Sequence, residues 1–338
     1  MQDPIRWRSM IGSSVLSATL VALAALAGGA ATAQEAYPVR PITLVTPYAV
    51  GGGSDILTRI LADALSRNLG QPVVVKNVGG AGGVIGTQQV AQAAPDGYTL
   101  LHHHIGMATT PSLYKNLPFD VVRDFEPIGL FAETPLAVVA GKHTPPRNVA
   151  EFVDHVRKHG KQVTFASSGS GSATHLCAMQ VEKATGTAVT MIQYKGAAPA
   201  MIDLQGGRVD FLCVDTGSGI IPPVKSGDLK AFVVTSEKRI DSLPDVPTTA
   251  EAGLKDLSVV TAWYGLYAPA KTPKPIIDRI AVALQAAVRD PAVVERLAKF
   301  ETTAFDAKRA TPEGLRERLA SQLAIWTPLL KDAVLTGP

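Results

Sequence analysis

The chain has 338 residues, 46% of them hydrophobic and 18% charged, with a formal net charge of +3. It contains no Lys/Arg run, which argues against nucleic acid or a membrane surface as its main partner. Cys177 and Cys213 are its only cysteines, too few by themselves for a zinc site.

Arg6 and Arg8 precede an apolar run over residues 11–27, and Ala31-Thr32-Ala33 follows. A basic start, a short apolar stretch and an A-x-A exit read as a secretory signal over residues 1–33, cut near Ala33. An uncleaved anchor fits less well, because the run is short for a span and rich in Ala. About 305 residues then remain, enough for two domains, with a charge near +2 once Asp3, Arg6 and Arg8 are removed.

The elements come in chain order as strand, small-residue loop and helix. ITLVTPY (42–48) reads as a strand. Ile56, Leu57, Ile60, Leu61, Ala64, Leu65 and Leu69 then recur at helical spacing, stopped by Gly70 and Pro72. PVVVKN (72–77) is a second strand, followed by GGAGGVIG and a helix through Ala91; YTLLHHH (98–104) is a third strand. Residues 111–129 look irregular, and PLAVVA (135–140) opens a second set. Asn148 with Glu151 suggests a capping box for a helix ending near Gly160. QVTFASS is followed by GSGSATH and a helix from Ala173 to Thr185, closed by Gly186. AVTMIQY, KGAAPAMIDLQGG, VDFLCV and LKAFVVT continue the alternation. The C-terminal part reads as mostly helical, with one helix from Ile276 to Arg289 and another from Pro312 to Leu330, capped by Thr311. Such alternation means α/β with mainly parallel sheets flanked by helices, in two domains. Cys177 on a helix and Cys213 in a buried strand favour two separate thiols over a bridge.

In an open parallel sheet, ligands sit beyond the carboxyl ends of the strands. YAVGGGSD, GGAGG, HHHIGMAT, SSGSGSATH and DTGSG occupy that position here. Most precede helix N-termini, whose free N–H groups and partial positive charge seat an anion. Lys195 is the nearest cation, so a carboxylate held by neutral donors fits better than a phosphate. One helix end contributes about 0.3–2 kcal/mol, whereas micromolar binding needs about 8 kcal/mol, so several ends must converge. Asp55 at a helix start reads first as a cap, and Asp215, after a buried strand, as an acceptor for a ligand hydroxyl, ammonium or protonated acid, or for a water. His102 and His104 share a strand face opposite His103, with no adjacent carboxylate to support a metal. His104 is expected to hydrogen-bond a ligand or a loop. The phosphate-binding GxxxxGK[ST] pattern is absent, GAGGVIG (80–86) is one residue off the dinucleotide fingerprint, and SSGSGS does not fit G-x-S-x-G.

Taken together, YPVRPITLVTPYAVGGGSDILTR, VVVKNVGGAGGVIGTQQVAQAAPDGYTLL, PSLYKNLPFDVVRDFEPIG, SSGSGSATHL, QYKGAAPAMIDLQGGRVDFLCVD and LPDVPTTAEAG resemble the Bug-type solute-binding receptors of tripartite tricarboxylate transporters. The resemblance spans nearly everything from Tyr37 to Leu330. It implies a periplasmic, two-domain Venus-flytrap binding protein (type II-like), with no catalysis and no cofactor. It implies a small carboxylate held between the domains and delivered to a two-component membrane permease. Domain 1 would comprise residues 34–134 and 263–338, and domain 2 residues 135–262. Crossings fall near Phe131 to Pro135 and near Ala262 to Gly265. There Trp263 and Tyr264 either wall the cleft or pack the hinge. Ligand contacts are expected from Tyr48, Gly51, Gly52, Gly53, Ser54 and Asp55; from Gly80 and Ala81; and from His104 and Thr109. In the second set they are expected from Ser168, Gly169, Ser170, Gly171, Ser172, Thr174 and His175, and from Lys195 and Asp215. No metal site and a monomer are expected. The first loop departs from the family by carrying Ala49-Val50 where a second proline is common, and His102-His103-His104 are bulkier than the family's usual strand end. An imidazole there could meet a second carboxylate or an aromatic ring. A periplasmic sensor serving a signalling receptor and a secreted α/β enzyme remain the alternatives.

Overall fold

The computed structural model describes residues 37–254, 257 and 260–331. The signal segment lies outside them. The chain parts into a first unit, Met1–Val39, of which only residues 37–39 are described, and a second, Arg40–Pro338, which carries everything below.

The second unit begins β1 (Ile42–Thr46), α1 (Gly53–Leu69), β2 (Val73–Asn77), α2 (Val84–Ala91), β3 (Thr99–His104), α3 (Gly106–Leu113) and β4 (Phe125–Thr134). It continues with β5 (Leu136–Gly141), α4 (Val149–His159), β6 (Thr164–Ser167), α5 (Ala173–Thr185), β7 (Thr190–Gln193), α6 (Ala197–Gln205), β8 (Phe211–Asp215), α7 (Ile221–Lys225) and β9 (Leu229–Val234). It ends with β10 (Ala262–Pro269), α8 (Lys274–Arg289), α9 (Pro291–Ala298), β11 (Thr303–Ala304) and α10 (Pro312–Leu330). A six-stranded sheet ordered β11-β4-β10-β3-β1-β2 forms the first lobe, and a five-stranded sheet ordered β7-β6-β8-β5-β9 the second.

Local signals explain much of this. Asn148 Oδ1 accepts from Glu151 N at 2.9 Å, and Glu151 reaches back to Arg147 N at 2.8 Å and to Asn148 Nδ2 at 2.9 Å, so the expected capping box closes one residue before the cap rather than on the Asn148 amide. Gly70 and Gly186 end α1 and α5 in left-handed conformations, and Thr311 caps α10. The second lobe is centred on Phe152, Phe165, Phe211 and Phe232, whose rings pack 5.0–6.2 Å apart. Each buried Phe contributes roughly 1.5–3 kcal/mol of hydrophobic stabilisation.

Three expectations are corrected. The sheets are mixed rather than mainly parallel. β1 pairs in parallel with β2 and β3, and β6 with β7 and β8; β4, β5, β9, β10 and β11 pair antiparallel. The irregular-looking stretch before residue 130 ends in β4, and the mostly helical C-terminal part holds β10, a fully buried central strand. Pro127 and Gly129 disguise β4, but the register skips Ile128 between them, and a bulge tolerates a proline that an even ladder would reject. Finally, Cys177 and Cys213 form a disulfide: α5 lies on β8 and brings their Cα atoms to 5.9 Å, within bridging range.

Pro135 alone separates β4 of one sheet from β5 of the other, and the chain returns between β9 and β10. Thr134 and Thr216 share a 2.8 Å hydroxyl contact across this junction, and Thr216 N donates to Pro135 O. Helix α10 braces it: Arg318 reaches Glu133 at 3.3 Å, and Trp263 Nε1 donates to Gln322 Oε1 at 3.4 Å.

Candidate functional site

Three helices start where the lobes face each other. α1 begins after Gly52 with no side-chain cap, and its Gly53 N donates to Ser218 Oγ of the opposite lobe at 3.0 Å. α5 begins after Ser172, whose hydroxyl caps His175 N, and α6 after Gly196. The pocket between them is lined by Tyr48, Gly52, Gly53, Ser54 and His104 of the first lobe and by Ser168, Ala173, Thr174, Ala197 and Asp215 of the second. It leaves about 10 Å³ for water centres, room for roughly one water. No Lys or Arg is among the lining residues. Polarity comes instead from first-turn amides, which lack carbonyl partners within their own helices and carry the positive end of the macrodipole.

The side chains fix the rest. His104 Nδ1 accepts from Gly106 N at 3.0 Å, so the neutral ring carries its hydrogen on Nε2 and presents a donor there. Burial pushes His104 down to about 3, which keeps it neutral at ordinary pH. Tyr48 packs on His104 at 4.7 Å and donates its hydroxyl to Gly82 O at 3.0 Å. Burial pushes Asp215 up to about 6, against a hydrogen bond from Ser218 Oγ at 3.3 Å. His102 lies 2.8 Å from Thr58 Oγ1, which donates to Ser54 O at 2.5 Å; the ring therefore donates through Nδ1 and braces the first turn of α1. Tyr264 Oη lies 3.3 Å from Ser54 Oγ. Tyr264 thus stands behind the pocket wall, stacked on His102 and touching Ser54, while Trp263 packs the junction.

Of the residues expected from sequence, Tyr48, Gly52, Gly53, Ser54, His104, Ser168, Thr174 and Asp215 line the pocket. The others stand around it. Asp55 accepts from Gly51 N, Arg59 and Asn77, which makes it a loop brace. Gly80 and Ala81 lie at the turn Ala81–Gly83, beside the Gly82 carbonyl that Tyr48 holds. Gly169, Ser170, Gly171, Ser172 and His175 shape the loop before α5; His175 Nδ1 accepts from Gly171 N at 3.2 Å. Thr109 donates across the seam to Gly171 O at 2.7 Å. Lys195 is exposed, and its carbonyl accepts from Ala49 N at 3.2 Å. Ala173 and Ser218 fall in the loops SSGSGSATH and DTGSG without being singled out as contacts, and Ala197 was missed. Ala197 follows Gly196 at a helix start, the same small-residue signal as the loops that were singled out.

The glycines also admit the opposite lobe. A Cβ on Gly53 would stand 1.9 Å from Asp215 Oδ1, and one on Gly82, at φ +62°, would stand 1.7 Å from Ser170 O. Both side chains were given up where main chain of one lobe meets the other.

Two α/β lobes joined at a braced junction, with helix N-termini facing across a pocket, define a two-domain solute-binding protein of the Venus-flytrap kind. The family profile described as "Tripartite tricarboxylate transporter family receptor" (TctC) matches residues 57–333. The chain belongs to that family. It is 42% identical over 303 residues to the "UPF0065 protein in the TAR-I ttuE-ttuC' intergenic region" of Agrobacterium vitis, covering 90% of this chain and 87% of that one. Among solved structures, the periplasmic binding protein BugD is 42% identical with a TM-score of 0.84, over 88% of this chain and 98% of its own. MatC from Rhodopseudomonas palustris, solved with bound malate, is 32% identical with a TM-score of 0.83, over 87% and 100% of the two chains. Among the described residues, no helix is long and apolar enough to cross a membrane.

Proposed function

We propose that this protein captures a small organic acid between its lobes in the periplasm and passes it, chemically unchanged, to a two-component permease. The observation that carries this reading is the pocket itself. Helix N-termini from both lobes and the His104 Nε2–H surround it, and no cation lines it. That set of neutral donors suits a carboxylate. The family and the malate carried by MatC support the substrate class. The His104 donor suits a second carboxylate or an aromatic ring on the same ligand. Closure follows because a ligand that touches both lobes favours the form in which they meet. The hinges are the Pro135 crossing and the return before β10, dividing the chain into residues 34–134 with 263–338, and 135–262. The protein acts as a monomer after removal of residues 1–33.

A thermal-shift screen of mono-, di- and aromatic carboxylates tests the reading. A true ligand at a hundred times its Kd adds about 2.7 kcal/mol of stability. Response to a nicotinamide cofactor, with none to any acid, would replace the receptor by an enzyme. His104→Ala is expected to weaken a dicarboxylate about tenfold while leaving a small monocarboxylate within twofold; equal effects on both would remove the distal role of His104.

A further inference from the structure

Asp215 stands in an awkward place for a receptor of anions. Its carboxyl lines the pocket, is 94% buried, and lies against the start of α1, the end that would seat a ligand carboxylate. The groups around it offset burial only in part. Ser218 Oγ, from the turn that follows β8, donates at 3.3 Å, and the backbone amides of Asp215 and Ser218 donate as well. Gly53 and Ser54 face it from α1, Ala173 and Thr174 from α5, and Ala197 from α6. From β10, Tyr264 bears on it electrostatically, and burial holds that phenol protonated. His104, from β3, shares the pocket but stays neutral, as does Tyr48. No ammonium or guanidinium lines the site. Two carboxylates cannot both remain ionised at close quarters in such a place; one takes a proton, which the two then share.

Resting on the carboxylate-receptor reading, we propose that Asp215 determines solute specificity by requiring a hydrogen between itself and the ligand. A solute with a hydroxyl or ammonium beside its carboxylate brings that hydrogen. A dicarboxylate without one takes it from solvent, so binding is coupled to uptake of one proton. The proton sits between an Asp215 oxygen and a ligand carboxylate oxygen, and no other bond changes. Burial already places the free carboxyl near 6, so it ionises below neutral pH until a ligand raises it further.

The experiment is isothermal titration with succinate, glutarate and adipate, and with malate as the hydroxylated contrast. It is run from pH 5.5 to 8.5 in buffers of different ionisation enthalpy. For the donor-free acids, wild type is expected to take up about one proton at pH 7.5. Affinity should fall about tenfold per pH unit from pH 6.5 to 8. Malate should show a smaller uptake. Asp215→Asn supplies an amide hydrogen of its own; it should bind with no uptake and vary less than twofold across the range. A ligand-free arm checks the group itself. Asp215→Asn should melt above wild type at pH 7.5, with the difference shrinking below pH 6 and gone only below about pH 4, the ordinary range of an unfolded Asp. A folded carboxyl raised from its ordinary range destabilises the native state only above its unfolded pKa. Flat wild-type binding with no uptake, or a slope that survives in Asp215→Asn, overturns the proposal and leaves the receptor reading intact. Failure of every acid at every pH removes the receptor reading, and this proposal with it.

Discussion

The two principal helices that meet across the pocket begin in opposite ways. α5 is self-sufficient: Ser172 Oγ accepts from His175 N, Thr174 Oγ1 accepts from Ser168 N at 2.6 Å, and His175 Nδ1 accepts from Gly171 N. The Cys177–Cys213 bridge also ties it to β8. α1 has a glycine for an N-cap, and its Gly53 amide finds a partner only in Ser218 of the other lobe. One end is built before the lobes meet; the other is completed by their meeting. Interactions made only on closure are the ones that couple ligand affinity to closure. The division of labour is therefore a rigid second-lobe loop and a first-lobe helix end that reads whether the cleft is shut.

That contrast can be attacked at each level. The largest effect expected is on the tethered side. Opening the bridge with a reductant, or replacing both cysteines with Ala, releases a loop with a sequence separation of 36. It should lower stability by about 4 kcal/mol on the chain-entropy estimate, read as a fall in Tm and denaturation midpoint. An unchanged Tm would mean that packing alone holds α5 on β8.

Gly53→Ala probes the other side. Its added methyl meets Asp215 Oδ1 and Ser218 Oγ only when the lobes are together, and Ala suits a helix start better than Gly. Carboxylate affinity should drop at least 100-fold, about 2.7 kcal/mol, because the methyl keeps the lobes from meeting around the ligand. Wild-type affinity would show that the lobes meet differently around the ligand.

The smallest and sharpest test is a pair. Ser172→Ala removes a cap and should reduce the stability of the free protein by about 1 kcal/mol. Ser218→Ala removes the partner that Gly53 N gains across the seam. It should weaken the ligand about fivefold, by about 1 kcal/mol, and cost the free protein less than Ser172→Ala does, because the only hydrogen bond it removes within its own lobe is the long 3.3 Å one to Asp215. If the two variants exchanged these signatures, the rigid and the reading ends would be the wrong way round.

Local chemistry was enough to foresee the helices with strong stops and caps. Asn148 with Glu151, Thr311 before Pro312, and Gly186 after Thr185 all act within a turn or two of chain, so the residues that decide them are neighbours in sequence. The same holds for the small-residue loops and for the donors they present. What tertiary contact alone decided lies at long range. β10, continuous in apolar residues, has no period to reveal it and becomes a strand because β3 and β4 flank it. β4 hides behind Pro127 until a bulge accommodates it. The thiols 36 positions apart were joined by the docking of a helix on a sheet. Nor could the chain order say that the side chains absent at Gly53 and Gly82 leave room for the opposite lobe as well as for a solute. Caps and turns are settled by groups a few bonds apart, whereas pairing, bridging and closure depend on which distant surfaces exclude water together, and that is a property of the folded molecule.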